Sequence, residues 1–367
     1  MGHEAGEPAT RRFVGNPGHG SLARSLDILR PISNLLTDGS LNLATASNAE
    51  LGPKTEVISS LEPLVERNMA RHVEERKLWM PSDLIPSSER MTAEQERDLR
   101  ELPDRARAMP DAARVSLALN LLTEEGLPHF HRLLALYMGS RNAWSRWNFL
   151  WTSEEDRHGC VLRDYVRHAR LFDMEAFERL QYRYLEAGFD PEWQGDPYRL
   201  LAYTSLQERA TQAAHANTGK LASKHEPMLQ RILGHVAADE SRHFRFYRDA
   251  FARVLEVDVT RALQSALEVM PRLEMPGHAI AGYADMAEVV HRAGIYGPRE
   301  YRMVVCECLD SWGVADLRPG DSAGREAQDK LLAVPARLDK LADVLEQRSK
   351  SKSFSFDFIY RRVLEFH

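Results

Sequence analysis

The sequence has little cysteine, no long apolar run and no excess of positive charge. Its 367 residues include only three cysteines, Cys160, Cys306 and Cys308, too few for a disulfide framework, so we expect a protein of a reducing compartment, the cytoplasm. No stretch approaches the roughly 18 apolar residues that cross a bilayer, which predicts a soluble protein without a membrane span. The net charge of −6 provides no basic field, which argues against a nucleic-acid partner.

Alternating β-branched residues are also missing, and the hydrophobic periodicity predicts an all-α protein. Glycine, proline and small polar residues concentrate at the start and predict a poorly ordered leader over residues 1–53, with an organelle transit peptide as an alternative. Residues 54–367 are predicted to form a single helical domain with its core at about 110–255. Brief alternation at 354–360 predicts a short hairpin or an extended arm.

Two Glu-x-x-His motifs, at 155–158 and 240–243, are the most informative feature of the chain. Residues three apart lie on one helix face, so each carboxylate and imidazole can bind the same metal ion. A further glutamate precedes each motif, Glu124 by 31 residues and Glu208 by 32. This repeat predicts two helix pairs in a four-helix bundle. The bundle would enclose four carboxylates and two imidazoles, the ligand set of a di-iron or di-manganese centre.

Three neighbouring residues are candidates to support these ligands. Asp239 precedes Glu240 and can accept the free ring N–H of a ligating histidine. Thr211 follows Glu208 by three residues, so its hydroxyl either faces the metals or bonds its own helix backbone. His215 lies on nearly the same face, where we favour ordinary packing over a contact with a ligand.

Four stretches, residues 123–128, 154–159, 203–218 and 237–243, closely resemble the soluble acyl-carrier-protein desaturases of plant plastids and bacteria. Weaker similarity extends from Trp79 to the tail at 354–362. The departures are small: Asp156 stands where the family commonly has asparagine, and Ser241 where plant members have lysine.

The resemblance implies a ferritin-like four-helix bundle with additional helices and two iron ions, cycling between Fe2+ and Fe3+. It implies that Thr211 assists oxygen activation and that Trp79 and Asp239 take part in electron delivery. Family members insert a cis double bond into an acyl chain on acyl carrier protein, with O₂ and two electrons from reduced ferredoxin, and are homodimers. The implied iron ligands are Glu124, Glu155, His158, Glu208, Glu240 and His243.

The resemblance also implies an acyl channel beside Leu133, Leu136 and Tyr137. Tyr137 is bulkier than the usual residue, which places the plant-type chain length and double-bond position in doubt. Because acyl carrier proteins are acidic, a local basic patch is expected to dock one. The candidates for this patch are Arg67, Arg71, Arg76 and Lys77. The alternative is that these four residues only form a solvated helix face.

Three other functions use a similar metal site. A ribonucleotide-reductase small subunit stores a tyrosyl radical four residues after the first motif histidine, where this chain has Leu162. A non-catalytic iron-storage protein would be shorter and would have no counterpart of Trp79. A di-iron hydroxylase or other oxygenase that acts on a carrier-bound chain stays open as the alternative to a desaturase.

Overall fold

The protein is a bundle of helices with one small β-hairpin at its C-terminal end, seen in a computed structural model that describes residues 48–86, 91–272 and 276–366. The all-α prediction is confirmed. The helices are α1 Asn48–Ser60, α2 Glu62–Glu75, α3 Pro81–Leu84, α4 Ala93–Arg107, α5 Asp111–Glu124, α6 Leu127–Met138, α7 Ala143–His168, α8 Met174–Ala187, α9 Pro197–Ala222, α10 Pro227–Val257, α11 Val259–Val269, α12 Tyr283–Arg292, α13 Pro298–Ser311, α14 Ser322–Leu332 and α15 Val334–Gln347.

The long central helices begin where side chains cap their free backbone N–H groups. Asn142 accepts a hydrogen bond from the Ser145 N–H at the start of α7, at 2.9 Å. Asp196 caps α9, and Glu226 accepts from the Met228 N–H at the start of α10, at 2.9 Å. Such caps satisfy backbone donors that have no partner within the helix. The caps therefore fix where α7, α9 and α10 start, and with it the height of their ligands in the bundle.

The buried apolar side chains form two clusters with a polar layer between them. One cluster combines α6, the first halves of α7 and α9 and the second half of α10. The other combines α5, the second half of α7 and the first half of α10. The two Glu-x-x-His motifs lie at the middle of α7 and α10, between the clusters. Water is therefore excluded from both sides of this layer.

The segment after Glu124 departs from the expected helix geometry. The sequence predicts one continuous helix with a kink at Pro128, whereas α5 ends at Glu124 and α6 begins at Leu127. Proline suits the first turn of a helix because its missing N–H would have no partner there. The break places Glu124 at a helix end, next to the start of α6.

The C-terminal tail forms a hairpin, one of the two predicted alternatives, but over residues 352–366 rather than 354–360. Strands β1 Lys352–Ser355 and β2 Val363–Phe366 are antiparallel, with Lys352 opposite Phe366. Phe354 packs into the second apolar cluster, and the Asp173 N–H donates to the Phe358 carbonyl at 2.8 Å. The tail is thereby attached to the start of α8.

Two other sequence predictions meet the structure only in part. The predicted leader lies outside the described residues up to position 47, while residues 48–53 belong to α1. The single-domain boundary at 54 stays a prediction. Among the described helices, none combines the length and the apolar character that a membrane crossing requires.

Candidate metal centre

The six predicted ligands lie together in the polar layer. Glu124 comes from the end of α5 and Glu208 from α9, and the two motifs come from α7 and α10. All six side chains are buried, the two histidines completely. Two overlapping groups result, in each of which the potential ligand atoms lie within 4.8 Å of one another. Glu155 and Glu240 belong to both groups, which is the arrangement that bridging carboxylates require.

The first group surrounds the ring of His158. Its Nδ1 lies 3.6 Å from Glu124 Oε2, 3.5 Å from Glu155 Oε2 and 3.5 Å from Glu240 Oε1. Three carboxylates thus face one ring nitrogen from three helices. A cation placed among them would find one nitrogen and at least three oxygen ligands.

The second group surrounds His243. Its Nδ1 lies 2.8 Å from Glu155 Oε1, 3.6 Å from Glu208 Oε2 and 3.6 Å from Glu240 Oε2. Glu208 here takes the place that Glu124 has in the first group. The two halves of the site are therefore related by an approximate two-fold axis that follows the repeat in the sequence.

Unpartnered buried atoms test whether this site fits metal ions. Within the described part of the chain, His158 Nδ1, His243 Nδ1, Glu155 Oε1 and Glu240 Oε2 are buried and make no hydrogen bond of proper geometry, although His243 Nδ1 and Glu155 Oε1 are 2.8 Å apart. Buried polar atoms of this kind are costly unless something binds them. All four belong to the two carboxylate–histidine groups, so cations at these positions would satisfy them together.

The charges of the site support the same interpretation. Burial raises the pKa of Glu208, and the neighbouring Glu240 charge raises it further. The same two causes raise the pKa of Glu155. Four carboxylates in one buried layer repel each other, and two divalent cations would neutralise them. The structure therefore contains buried groups of histidine and glutamate that are able to hold metal.

The outer face of His158 is held by Asp239. The His158 Nε2 lies 3.2 Å from Asp239 Oδ2, which also accepts from the Trp79 indole N–H at 2.9 Å. Arg157 and Arg242 donate to the same carboxylate. The Trp79 ring is stacked on His158 with 6.1 Å between centroids. Asp239 thus contacts a ligand-type histidine as the sequence predicts, and it fixes the tautomer that leaves Nδ1 free for a metal.

The outer face of His243 is held by a residue that sequence analysis missed. Glu154 Oε2 lies 3.0 Å from His243 Nε2 and 2.9 Å from the Nε2 of His72, a buried residue of α2. Arg76 donates to the other Glu154 oxygen at 2.9 Å. A signal existed: Glu154 precedes Glu155 as Asp239 precedes Glu240. His72 has no such signal because it is distant in sequence.

His215 corrects another expectation. We favoured ordinary packing, but its Nε2 lies 2.7 Å from Glu124 Oε1, and its Nδ1 lies 3.3 Å from the Asn120 side-chain amide. His215 is therefore a positioning residue for Glu124. The Trp151 indole N–H has a matching role, since it donates to Glu208 Oε1 at 3.1 Å.

Thr211 lies beside the site, but its hydroxyl is engaged locally. It donates to the backbone carbonyls of Gln207 and Glu208, each at 3.1 Å. Of the two alternatives from the sequence, the bond to the helix backbone is the one observed, and the side chain also borders a cavity of about 20 Å³. That volume holds about one water-sized molecule. The cavity is lined by Thr123, Glu124, Leu127, Phe130, Trp151, Glu155, Gln207, Glu208, Thr211 and Glu240.

The structure contradicts parts of two expectations that came from the family resemblance, the acyl channel and the basic patch. Leu133 is buried and Tyr137 half-buried, but Leu136 is 62% exposed and so does not line an interior channel. In the expected basic patch, Arg76 turns inward to Glu154, and Arg71 pairs with Asp249 at 2.7 Å. The remaining pair, Arg67 and Lys77, is exposed.

A helical bundle with a buried double group of carboxylates and histidines defines the ferritin-like class of metal-binding folds. Residues 53–360 match the family model described as fatty acid desaturase, and the chain belongs to the acyl-carrier-protein desaturases of that family.

Individual relatives cover most of the chain. A chloroplastic stearoyl-acyl-carrier-protein 9-desaturase of Gossypium hirsutum is 31% identical over 85% of this chain and 83% of its own. The DesA1 protein of Mycobacterium tuberculosis is 32% identical over 79% of this chain and 88% of its own. The crystal structure of DesA2 from M. tuberculosis H37Rv superposes with a TM-score of 0.54 at 22% identity, over 74% of this chain and 99% of its own. The last likeness supports the fold, and the family model and the two sequence relatives confirm the predicted family.

Proposed function

We propose that this protein is a di-iron acyl-carrier-protein desaturase that inserts a cis double bond into a carrier-bound acyl chain. The observation that carries the proposal is the convergence of four unpartnered buried ligand atoms on two overlapping carboxylate–histidine groups. The names of relatives such as the cotton enzyme supply the substrate class. The proposed iron ligands are Glu124, Glu155, His158, Glu208, Glu240 and His243.

Iron suits this donor set and this reaction. Carboxylates are hard ligands, and imidazole also binds iron, whereas the site offers no thiolate that would favour a softer metal. Iron held by these residues would, once reduced, give O₂ the electrons needed to form an oxidant able to remove hydrogen from unactivated methylenes. The protein contributes a dry, apolar surrounding on both sides of the polar layer, which excludes competing reactions of the oxidant.

Electrons are proposed to enter through Trp79. Its indole is hydrogen-bonded to Asp239, which contacts His158, so a continuous connection leads to the first group of ligands. The Arg157 guanidinium lies over the indole at 4.9 Å from its centroid. Exposed Leu78 and Met80 flank Trp79. The electron donor proposed from the family resemblance is reduced ferredoxin.

Thr211 and the small cavity are proposed to serve O₂. The cavity borders Thr211 and both Glu124 and Glu208, so a small molecule held there lies beside the ligands of both groups. Its volume accommodates one molecule of about the size of water. Because the Thr211 hydroxyl donates its proton to the helix backbone, its oxygen can only accept a hydrogen bond from a molecule in this space.

The remaining assignments rest on the family resemblance. We propose acyl carrier protein as the partner that delivers the substrate, a homodimer as the assembly, and the cytoplasm as the location. No part of these assignments is needed for the metal site, which a single chain supplies.

The decisive experiment is an aerobic reaction of iron-loaded protein with reduced ferredoxin and carrier proteins that bear C10 to C18 acyl chains. Mass spectrometry should show that the acyl chain loses two mass units. Fragmentation after derivatisation should place the new double bond at one fixed position. A gain of sixteen would assign a hydroxylase instead, and O₂ consumption with no altered chain would refute the substrate. Glu240→Gln should abolish the product, whereas Glu256→Gln, an exposed carboxylate on the same helix, should not.

A further inference from the structure

The small cavity beside the ligands ends at an aromatic ring. Leu127 and Phe130 form its apolar side, and at about 20 Å³ the cavity cannot hold an acyl chain without some movement of its lining. Phe130 lies six residues after Glu124, on α6. What stands behind Phe130 therefore decides how far a chain can extend past the metal ligands.

Behind Phe130 stand three further aromatic rings. The Phe130 centroid lies 5.4 Å from that of Phe189 and 6.2 Å from that of Tyr203. Tyr203 also contacts Phe189 at 6.2 Å and Trp193 at 4.8 Å. We name these four residues the aromatic wall. Its inner layer, Phe130 and Tyr203, is buried on α6 and α9, and its outer layer lies half-buried on the loop 188–196.

The loop that carries the outer layer is folded back onto the bundle. Glu192, Gln194 and Gly195 adopt left-handed conformations, with φ of 55°, 49° and 79°, and such residues reverse the chain sharply. The outer layer is held against the inner layer by its ring contacts, Phe189 with Phe130 and Tyr203, and Trp193 with Tyr203.

The charge of this loop disfavours it as the place where the substrate enters. Residues 188–196 contain no lysine or arginine. Asp190 and Glu192 are exposed there. An acidic carrier protein would be repelled by this surface. This charge argues for the wall as the closed end of a substrate site rather than its entrance.

We propose that the aromatic wall limits the length of the acyl chain, because the methyl end stops at Phe130. This inference rests on the proposed desaturase function and deepens it. The substrates would be chains with few carbons beyond the position of the double bond. The position counted from the carboxyl end is set by the carrier protein and not by the wall.

The test compares Phe130→Leu, Phe189→Ala and the double variant with the wild type. Each iron-loaded protein reacts with carrier proteins that bear C10 to C18 chains. The wall variants should shift the preferred length upward by two or more carbons. The kcat/KM for a longer chain, divided by that for a shorter one, should rise about tenfold or more per methylene. The double bond should keep its position from the carboxyl end. Phe149→Ala removes a ring that is 66% exposed and should leave the profile unchanged.

A second measurement separates this inference from the proposed function. Calorimetric titration of the iron-loaded protein without reductant gives the affinity for each acyl chain independently of turnover. If the wild type makes no product but binds chains only up to a length that the wall variants extend, the length limit set by the aromatic wall is confirmed and the proposed desaturase function is wrong. Equal length profiles in all variants, or a uniform change across all lengths as expected of an entrance, would overturn the wall.

Discussion

Replacement of Glu154 by glutamine tests how the outer face of His243 is supported. The Glu154 side chain is 2% exposed and accepts hydrogen bonds from His243, His72 and Arg76. Burial raises the pKa of Glu154, but the hydrogen bonds from His243 and His72 outweigh burial and hold the pKa well below its usual range. The carboxylate is therefore charged in the folded protein, and glutamine removes that charge with little change in shape.

The size of the effect follows from these contacts. A hydrogen bond that involves a charged group contributes about 1.5–3 kcal/mol, and the glutamine oxygen can replace at most part of this. Breaking a buried ion pair destabilises a protein by about 3–5 kcal/mol. Arg76 retains 24% exposure, so water offsets part of the loss and we expect about 3 kcal/mol in the free energy of unfolding. Metal affinity at the His243 group should fall about 10- to 100-fold, because His243 is no longer oriented.

The assay is an anaerobic titration with Fe2+, together with urea unfolding of the same samples. Glu154→Gln should weaken one of the two proposed iron sites and leave the other, at His158, close to the wild type. Glu125→Gln is the matched control, since this carboxylate is next to a ligand but bonds Arg163 at 2.8 Å and Gln181 at 3.0 Å. Two unchanged iron affinities in Glu154→Gln, or an equal loss in both variants, would refute the reasoning.

Three further predictions concern other parts of the molecule. Trp79→Phe removes the N–H that donates to Asp239, so reduction of the bound iron by ferredoxin should slow about tenfold or more at unchanged iron content; an unchanged stopped-flow rate would contradict this. Lys54→Met breaks the buried pair with Asp196, whose atoms are 2.5 Å apart, and should lower the free energy of unfolding in urea by about 3–5 kcal/mol. Burial raises the pKa of Glu288, but hydrogen bonds from two basic neighbours prevail and lower it. Its stabilising effect is thus present above the unfolded-state pKa of 4.5 and is lost as the pH falls below it, so the difference in melting temperature between wild type and Glu288→Gln should shrink from pH 6 to pH 4.

The predicted ligands could be located from the sequence because their pattern is local. An i,i+3 spacing already places glutamate and histidine on one helix face, and the repeat identifies the two single glutamates. The structure brings all six together as expected. The break after Glu124 was not predicted, because Pro128 fits both a kinked helix and the first turn of a new one.

The residues that the sequence did not reveal act across long distances in the chain. His72 lies 82 residues before Glu154, and nothing in its local sequence distinguishes it from a surface histidine of an amphipathic helix. Arg76 is similar: charge alone suggested a docking surface, whereas the fold turns the side chain toward a buried carboxylate. Side chains of this kind can be assigned only when the helix packing is known.

The two acids that hold the histidines are exchanged between the halves of the chain. Asp239 precedes a glutamate of the second motif but contacts the histidine of the first, and Glu154 does the reverse. Neither helix pair contains a complete set of ligand and support, so the site is complete only when the two pairs pack together. The support also differs between the halves, because Asp239 carries the Trp79 indole whereas Glu154 carries the His72 ring. Two metal ions held here would therefore have chemically distinct surroundings in a site that is otherwise nearly symmetric.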